Sequence, residues 1–190
     1  MSFNRTAAPA AEPLTKAEVK LHAHMETAET IEDGELDIYI KAAREYVENV
    51  TQRALITQTF TYFTDCFKDE IKLKANLQSV EAVRYIDRDG NQQTLASSVY
   101  VADTDAPIGR IYRDYDQDWP DIRSQRNAVE VDFTVGYGAT SAAVPESIRH
   151  AMLLLIGHWY MNREAVSVGS LNEVPYGVEL LLNPYKIWSF

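Results

Sequence analysis

The stretch that decides the fold is residues 144–164, which reads VPESIRHAMLLLIGHWYMNRE. Pro145 suits the first position of a helix, because its missing N–H is one that the helix would leave unpaired in any case. The apolar side chains at helical spacing are Ile148, Met152, Leu155 and Trp159, and further apolar residues widen the stripe. This pattern predicts a long helix that is buried on most sides, in the core of its own fold or in an assembly.

Two further helices are predicted near the start of the chain. Thr15 and Glu18 have the spacing of a capping box, which places a short first helix directly after Leu14. Asp33 is expected to cap the second helix. The apolar stripe of this second helix consists of Leu36, Ile40, Ala43, Val47 and Val50. Charged residues occupy its other face, so we expect the helix to be half exposed.

From residue 55 onward the apolar period changes from helical to alternating, which indicates strands. The clearest strand is residues 129–135, where four apolar side chains alternate with polar ones. Residues 80–86 and 92–95 flank a turn that contains Gly90, where a positive φ is expected. The remaining predicted strands are 57–62, 71–74, 100–101 and 110–112, the last two forming a pair.

These elements predict an α+β fold in which a helical scaffold carries an inserted antiparallel β region, at about residues 55–136. The scaffold comprises two N-terminal helices, the long central helix and a short C-terminal helix. Pro175 is expected to open that last helix, which runs to Leu182, and Pro184 to end it.

The predicted domain organisation is simple. Residues 1–13 are rich in alanine and proline and are expected to form a disordered arm. Residues 14–183 are expected to form a single domain, followed by an aromatic tail at 184–190. No secretory signal and no apolar run of about 20 residues is present, so we expect a soluble protein that is assembled inside a cell and has no membrane partner.

The charge and cysteine content exclude further classes. The formal net charge is −10, whereas a protein that grips nucleic acid through its phosphates needs clustered Lys and Arg. An acidic mimic of DNA is also disfavoured, because basic residues interrupt the carboxylates of the second helix. Cys66 is the only cysteine, which precludes an intramolecular disulfide.

One acidic stretch invites a metal-site interpretation. Asp114, Asp116 and Asp118 have the alternate spacing of a calcium loop, but Trp119 and Gln125 stand where an EF-hand needs Gly and Glu. A solvated loop is the favoured interpretation. The alternative that stays open is a small metal-dependent carboxylate hydrolase that uses these three aspartates as ligands. We otherwise expect no catalytic residues, no cofactor and no bound metal.

The C-terminal tail is unusually apolar. Four of its last six residues are large and apolar, namely Tyr185, Ile187, Trp188 and Phe190. Exposing them to water would forgo roughly 1.5–3 kcal/mol for each of the larger ones. The tail is therefore expected either to fold back on its own core or to anchor another subunit or partner.

Four segments together resemble the head–tail connector (adaptor) proteins of long-tailed bacteriophages and of the related gene-transfer-agent particles. The match covers about residues 14–186, and the order and spacing of the segments make it specific. The segments are LTKAEVK at 14–20, AAREYVENVTQRAL at 42–55, VDFTVGYG with VP at 131–138 and 144–145, and HWYMNRE with VPYGVELL at 158–164 and 174–181.

The resemblance implies a non-enzymatic ring, usually twelvefold, that binds beneath the portal at the head–tail junction of the virion after assembly in the host cytoplasm. The ring would extend the DNA channel, without binding DNA specifically, and would contact a neck or tail-completion protein below. The aromatic tail would then reach the portal. Because rings form by heterologous contacts, we expect the subunit contact to use charged ends of the two long helices: Arg44, Glu45, Glu48, Asn162, Arg163 and Glu164.

Overall fold

The computed structural model describes residues 2–26, 32–162 and 176–187 of the chain. Its contacts divide the chain into two compact units. The first, here called the β unit, combines Met1–Ala10 with Thr57–Tyr137. The second, the α unit, combines Ala11–Ile56 with Gly138–Phe190.

The described part of the β unit contains eight strands in two antiparallel sheets. The strands are β1 (Ser2–Ala7), β2 (Gln58–Thr64), β3 (Glu70–Lys72), β4 (Leu77–Ile86), β5 (Gln92–Thr94), β6 (Tyr100–Asp103), β7 (Arg110–Arg113) and β8 (Val129–Val135). The larger sheet has the order β1-β2-β8-β4-β5, and the smaller sheet has the order β3-β7-β6.

Strand β8 is central to the larger sheet and confirms the strand predicted at 129–135. Its apolar side chains are fully buried, while the intervening polar ones lie on the other face. Phe133 pairs with Phe60 on one side and with Val80 on the other. The hairpin between β4 and β5 is also as predicted, and Gly90 in its turn has a φ of +94°.

The described part of the α unit contains four α-helices: α1 (Lys16–His22), α2 (Asp33–Thr51), α3 (Glu146–Met161) and α4 (Tyr176–Leu182). Short 3-10 turns lie at Ser141–Ala143 in this unit, at Asn183–Tyr185 after α4, and at Ser97–Val99 in the β unit. The core of the α unit is formed by apolar side chains of all four helices: Val19, Leu36, Ile40, Val47, Ile148, Met152, Leu155, Ile156, Val178 and Leu182.

The helical-scaffold description from the sequence is wrong, although the α+β class stands. The strands form two sheets with a buried core of their own, so the β part is a large component and not an insertion in a helical scaffold. Its core includes Val83, Val131 and Phe133 of the larger sheet and Ile71 and Ile111 of the smaller one. Each unit therefore buries its own apolar face.

Strand β1 lies within the arm that was expected to be disordered. All six of its residues are exposed, so the alternation of a half-buried strand is missing from its sequence. The strand forms because its backbone pairs with the edge of β2, opposite residues 59–63. Phe3 adds a ring contact with Tyr62, the two ring centroids being 4.8 Å apart.

Two predicted helix starts are shifted by one residue. Pro145 is the N-cap of α3 and not its first helical residue, because its ψ of 135° is extended. Asp33 is the first residue of α2, and the N-cap is Glu32. The capping box of α1, by contrast, is present with both of its hydrogen bonds, as predicted. Within the described ranges, no helix combines the length and apolar character needed to cross a membrane.

Candidate assembly surfaces

The first helix of the α unit is held by Arg149 of α3. The Arg149 guanidinium pairs with Glu18, donates to the Pro13 carbonyl at 3.3 Å and pairs with Glu146 at 2.7 Å. The other oxygen of Glu18 accepts the Thr15 backbone N–H at 2.7 Å. Burial opposes the charged form of Glu18, but the hydrogen bonds from Thr15 and Arg149 outweigh it and lower its pKa.

A second polar contact joins α1 to the start of α2. The ammonium of Lys20 lies 2.6 Å from the Asp33 carboxylate, and Lys20 is only 4% exposed. The hydrogen bond from Lys20 lowers the pKa of Asp33. Lys16 adds an ion pair with Asp37 at 3.3 Å. Asp33 therefore binds a lysine of another helix, and no side-chain cap is present at the α2 N-terminus.

Arg44, one of the residues predicted at the ring contact, is buried in its own subunit. Its guanidinium lies 2.8 Å from Glu12, 3.1 Å from Glu48 and 3.7 Å from Glu45. Burial alone would lower the pKa of Arg44, but the hydrogen bond and charge of Glu12, with the charges of Glu48 and Glu45, raise it. Arg44 is 4% exposed, so its charge serves the α unit internally.

The other predicted contact residues are differently placed. The Glu48 side chain is 15% exposed and accepts the Leu55 backbone N–H at 2.9 Å, so it caps the turn after α2. The Glu45 side chain is 58% exposed. Asn162 is exposed at the end of α3, where its side-chain amide donates to the His158 carbonyl at 2.9 Å. Arg163 and Glu164 lie outside the described residues.

The beginning of the C-terminal tail lies on the end of α2. The Arg53 guanidinium donates to the Tyr185 carbonyl at 2.8 Å, and the Ile187 backbone N–H donates to the Thr51 carbonyl at 3.2 Å. Both tail residues are half-buried. Thus residues 185–187 fold back on their own subunit, whereas the predicted anchor residues Trp188 and Phe190 lie outside the described part of the chain.

The α unit also presents large apolar side chains to solvent. Those more than half exposed in the described residues of this unit are Leu21, Ile38, Met161, Tyr176 and Leu180. Tyr176 and Leu180 are four residues apart on α4 and share one face of that helix. Adjacent exposed apolar side chains, as at this pair, are typical of a face that a partner covers, whereas singly exposed ones are ordinary.

The acidic stretch of the β unit forms a loop closed by an ion pair. Arg113 at the end of β7 lies 2.7 Å from Asp118, and Asp114 accepts the Tyr115 backbone N–H at 2.7 Å. In the described ranges, no group of three or more His, Cys, Asp or Glu is placed to hold a metal ion. The three aspartates of the hydrolase alternative are therefore not placed to share one metal ion.

The structure also identifies contacts that the sequence analysis missed. Arg149, Lys20 and Glu12 hold the helices together, but none belongs to a recognisable motif. Glu18 had a local signal as part of the capping box, which predicted its contact with Thr15 but not the one with Arg149. Partners distant in the sequence leave no periodic signal, so these pairs were not predictable from pattern alone.

The fold and these surfaces define a structural subunit whose exposed apolar and charged groups suit contacts in an assembly. Comparison with known proteins makes the class specific. The family model described as head completion protein matches residues 13–187. The chain belongs to the head completion protein family.

Solved structures show the same fold over the whole chain. A chain in the neck of an empty gene-transfer-agent particle, computed with C6 symmetry, has a TM-score of 0.83 and 26% identity. A chain in the virion of the native particle gives 0.81 and 27%, and one in the native neck, computed with C12 symmetry, gives 0.80 and 26%. Each comparison covers 100% of this chain and 97% of the other. A search of curated proteins finds no match.

The resemblance proposed from the sequence is thus confirmed. The chain is a structural head–tail connector protein, and its place is the neck, at the head–tail junction of a virion.

Proposed function

We propose that the chain forms a ring beneath the portal, twelvefold in the particle, that extends the DNA channel and offers a surface to the next neck or tail protein. The observation that carries this proposal is the full-length similarity to chains in neck structures computed with C6 and C12 symmetry. A closed ring requires a heterologous contact, in which one face of each subunit meets a different face of the next.

For that contact we propose the predicted residues that remain available on the surface. Glu45 and Asn162 are exposed, and the predicted set continues into Arg163 and Glu164. Arg44 and Glu48 support this surface from beneath, because the guanidinium holds the carboxylates of α2 in place. A charged rim of this kind would set the register of neighbouring subunits more than their affinity.

We propose further that the tail binds the portal through Trp188 and Phe190. The hydrogen bonds of Tyr185 and Ile187 to Arg53 and Thr51 support this, because they order the chain up to the residue before the proposed anchor. An aromatic anchor loses less conformational entropy when the chain leading to it is already ordered.

The acidic balance of the chain suits a DNA channel. Carboxylates repel the phosphates of a passing duplex, whereas Lys and Arg would hold it. In this proposal the subunit neither binds DNA specifically nor carries a catalytic activity, and it assembles in the host cytoplasm before it becomes part of the virion.

The ring is tested by light scattering on a sizing column over a concentration series, with negative-stain imaging of large species. Rings of about a dozen subunits are the expected result. A compact dimer with a two-fold interface would contradict the ring. If the chain stays monomeric at every concentration, the same measurement is repeated with the purified portal, which must then recruit a full ring.

The tail is tested with a truncation that removes only residues 188–190. Because Tyr185 and Ile187 keep their contacts with α2, we expect the melting temperature to be unchanged and portal binding to be lost. A larger deletion of 185–190 serves as a comparison that also removes the α2 contacts. Portal binding that survives the shorter truncation would place the anchor elsewhere.

A further inference from the structure

The β unit contains an apolar pocket of about 420 Å³. This volume lies in the range of about 300–1,000 Å³ that is typical of binding pockets. Its apolar lining consists of Phe3, Tyr62, Leu73 and Ile108. Phe3 is 41% exposed, whereas Tyr62 and Leu73 are buried, so the pocket has an accessible aromatic wall and a closed floor.

Cations surround the pocket although the chain as a whole is acidic. Lys68 and Lys72 line it, and both are exposed. The carboxylate that also lines it, Glu70, is held by the Arg110 guanidinium at 2.5 Å and by the Tyr112 hydroxyl at 3.2 Å. Lys72 also lies 3.8 Å from Glu70. Three cations, Lys68, Lys72 and Arg110, therefore surround the single carboxylate of the lining, and the rim keeps a net positive charge. An apolar group flanked by carboxylates is the chemistry that fits it.

Lys74 adds a positive charge beside the pocket, over the ring of its lining residue Phe3. Its ammonium lies 5.2 Å from the ring centroid of Phe3 and 4.8 Å from that of Phe60. These cation–π contacts hold the Phe3 ring against β2 and keep the aromatic wall in position. The pocket is therefore largely formed before anything binds to it, which lowers the entropic cost of binding.

The chain itself presents a segment with the required chemistry. Tyr115 is 88% exposed at the tip of the loop that follows β7. Asp114 and Asp116 flank it, while Asp118 is engaged by Arg113 at 2.7 Å. Two carboxylates therefore remain beside the exposed ring, matching the two lysines at the rim of the pocket.

The loop that carries Tyr115 is shaped by its own backbone. The Gln117 N–H donates to the Asp114 carbonyl at 3.2 Å, and the Asp114 N–H donates to the Val99 carbonyl at 2.9 Å. Asp116 has a φ of +56°, which aspartate tolerates better than most residues. The aromatic tip is thus presented on a defined turn. No loop residue is among those that line the pocket of the same subunit.

We propose that the Tyr115 loop of one copy docks in the lysine-rimmed pocket of the next copy. The Tyr115 ring enters between Phe3 and Ile108, and Asp114 and Asp116 meet Lys68 and Lys72. The contact is heterologous, because loop and pocket are different surfaces of one chain, and repetition of such a contact builds a ring when the rotation between copies closes on itself. The inference rests on the proposed ring and adds a contact between β units to the helical one.

The contact is tested in the full-length chain by photo-crosslinking. Benzoylphenylalanine replaces Tyr115, since it is aromatic and fits the same pocket. This protein is mixed with isotope-labelled wild-type chain and irradiated, and mass spectrometry identifies the linked peptides. We expect links from the unlabelled position 115 to labelled peptides that contain Phe3, Leu73 or Ile108. Links that fall elsewhere, or only within one copy, would overturn the proposal.

Charge variants sharpen the test. The double substitution K68E/K72E in the labelled partner should lower the crosslink yield by about tenfold, because like charges then face each other. Combining it with D114K/D116K in the photo-reactive copy should restore the yield. The matched control is Arg88→Glu, which disrupts an exposed pair with Asp121 in the same unit and should leave the yield unchanged. An equal loss with the control would also overturn the proposal.

The outcome is distinguishable from failure of the ring itself. Wild-type mass by light scattering is measured on the same samples. Rings without crosslinks to the pocket would leave the ring standing and remove this contact. Crosslinks to the pocket in a species that never closes into a ring, even on the portal, would keep the contact and contradict the proposed function.

Discussion

Both units contain ion pairs between basic and acidic side chains, but the pairs of the α unit are more deeply buried than those of the β unit. In the α unit, Lys20 and Arg44 are each only 4% exposed. Lys20 pairs with Asp33 of another helix, and Arg44 pairs with Glu12 before α1 as well as with Glu48 of its own helix. In the β unit, Arg84 binds Glu130 and Asp132 on the face of the larger sheet, where its side chain is 27% exposed. The sheet has its continuous apolar core, whereas the helices depend on buried charges as well.

This difference has a physical cause. Strands of a sheet are joined by backbone hydrogen bonds, so their pairing does not depend on ion pairs between side chains on the open face. Helices satisfy their backbone internally, and only side chains can fix one helix against another. Buried charges are costly to desolvate, but removing one partner costs more, because the other is left uncompensated. The comparison predicts that equivalent substitutions will have unequal effects in the two units.

The largest effect is expected in the core of the β unit. Phe133 is fully buried at the centre of the larger sheet and contacts the rings of Phe3 and Phe60. The substitution Phe133→Ala should lower the free energy of unfolding by about 3–5 kcal/mol, measured by urea denaturation. Phe133→Leu retains most of the volume and should cost much less. Similar losses in the free energy of unfolding for the two variants would mean that the volume of the buried side chain does not determine the stability of this core.

Arg44 tests the buried charges of the α unit. Arg44→Met should cost about 3 kcal/mol, because Glu12 and Glu48 lose the cation that compensates them. The same urea titration measures this, and Glu45→Gln is the control, since that carboxylate is exposed and 3.7 Å away. A loss below that of the control would show that Glu12 and Glu48 find other compensation, and the comparison between the units would fail.

Arg84 is the matching substitution in the β unit. Its hydrogen bonds to Glu130 and Asp132 raise its pKa, so the guanidinium stays charged. Even so, Arg84→Met should cost only about 1 kcal/mol, because solvent screens a pair at this exposure. If Arg84→Met costs as much free energy of unfolding as Arg44→Met, burial does not determine how much these ion pairs contribute, and the proposed difference between the two units is wrong.

The smallest effect concerns pH. The pKa of Glu18 in the folded chain lies below its ordinary value of 4.5. Its contribution is therefore complete above pH 4.5 and is lost as the pH falls through the folded pKa. Glu18→Gln should cost less than about 1 kcal/mol at neutral pH, and the difference from wild type should vanish in acid. Thermal unfolding of both proteins between neutral pH and pH 3 measures this; a difference that persists in acid would assign the effect to packing.

Local signals predicted many of the elements correctly. The alternation at 129–135, the turn around Gly90 and the capping box of Thr15 and Glu18 all appear in the structure. Each depends on residues close in sequence, where period and turn chemistry act directly. Strand β1 escaped prediction because its residues carry no alternation, and its pairing partner lies more than 50 residues away.

The candidate site shows the same division. The sequence placed Arg44 on the polar face of α2, as its period requires, and so assigned it to a subunit contact. In the structure that position is buried, and Arg44 pairs with Glu12 from before α1 in addition to Glu48 of its own helix. The sequence left open whether the tail folds back on its own core or anchors a partner. The contacts of Tyr185 and Ile187 show that residues 185–187 fold back.

By itself, then, the sequence determined the α+β class, the family and the main helices and strands, because these follow from local period, turn residues and the order of short motifs. Only the tertiary structure decided that the strands form two sheets with their own core, that Lys20 and Arg44 are buried, and that a cationic pocket lies beside Phe3. These properties depend on contacts between residues that are distant in the sequence, and such contacts leave no signal in the local sequence pattern.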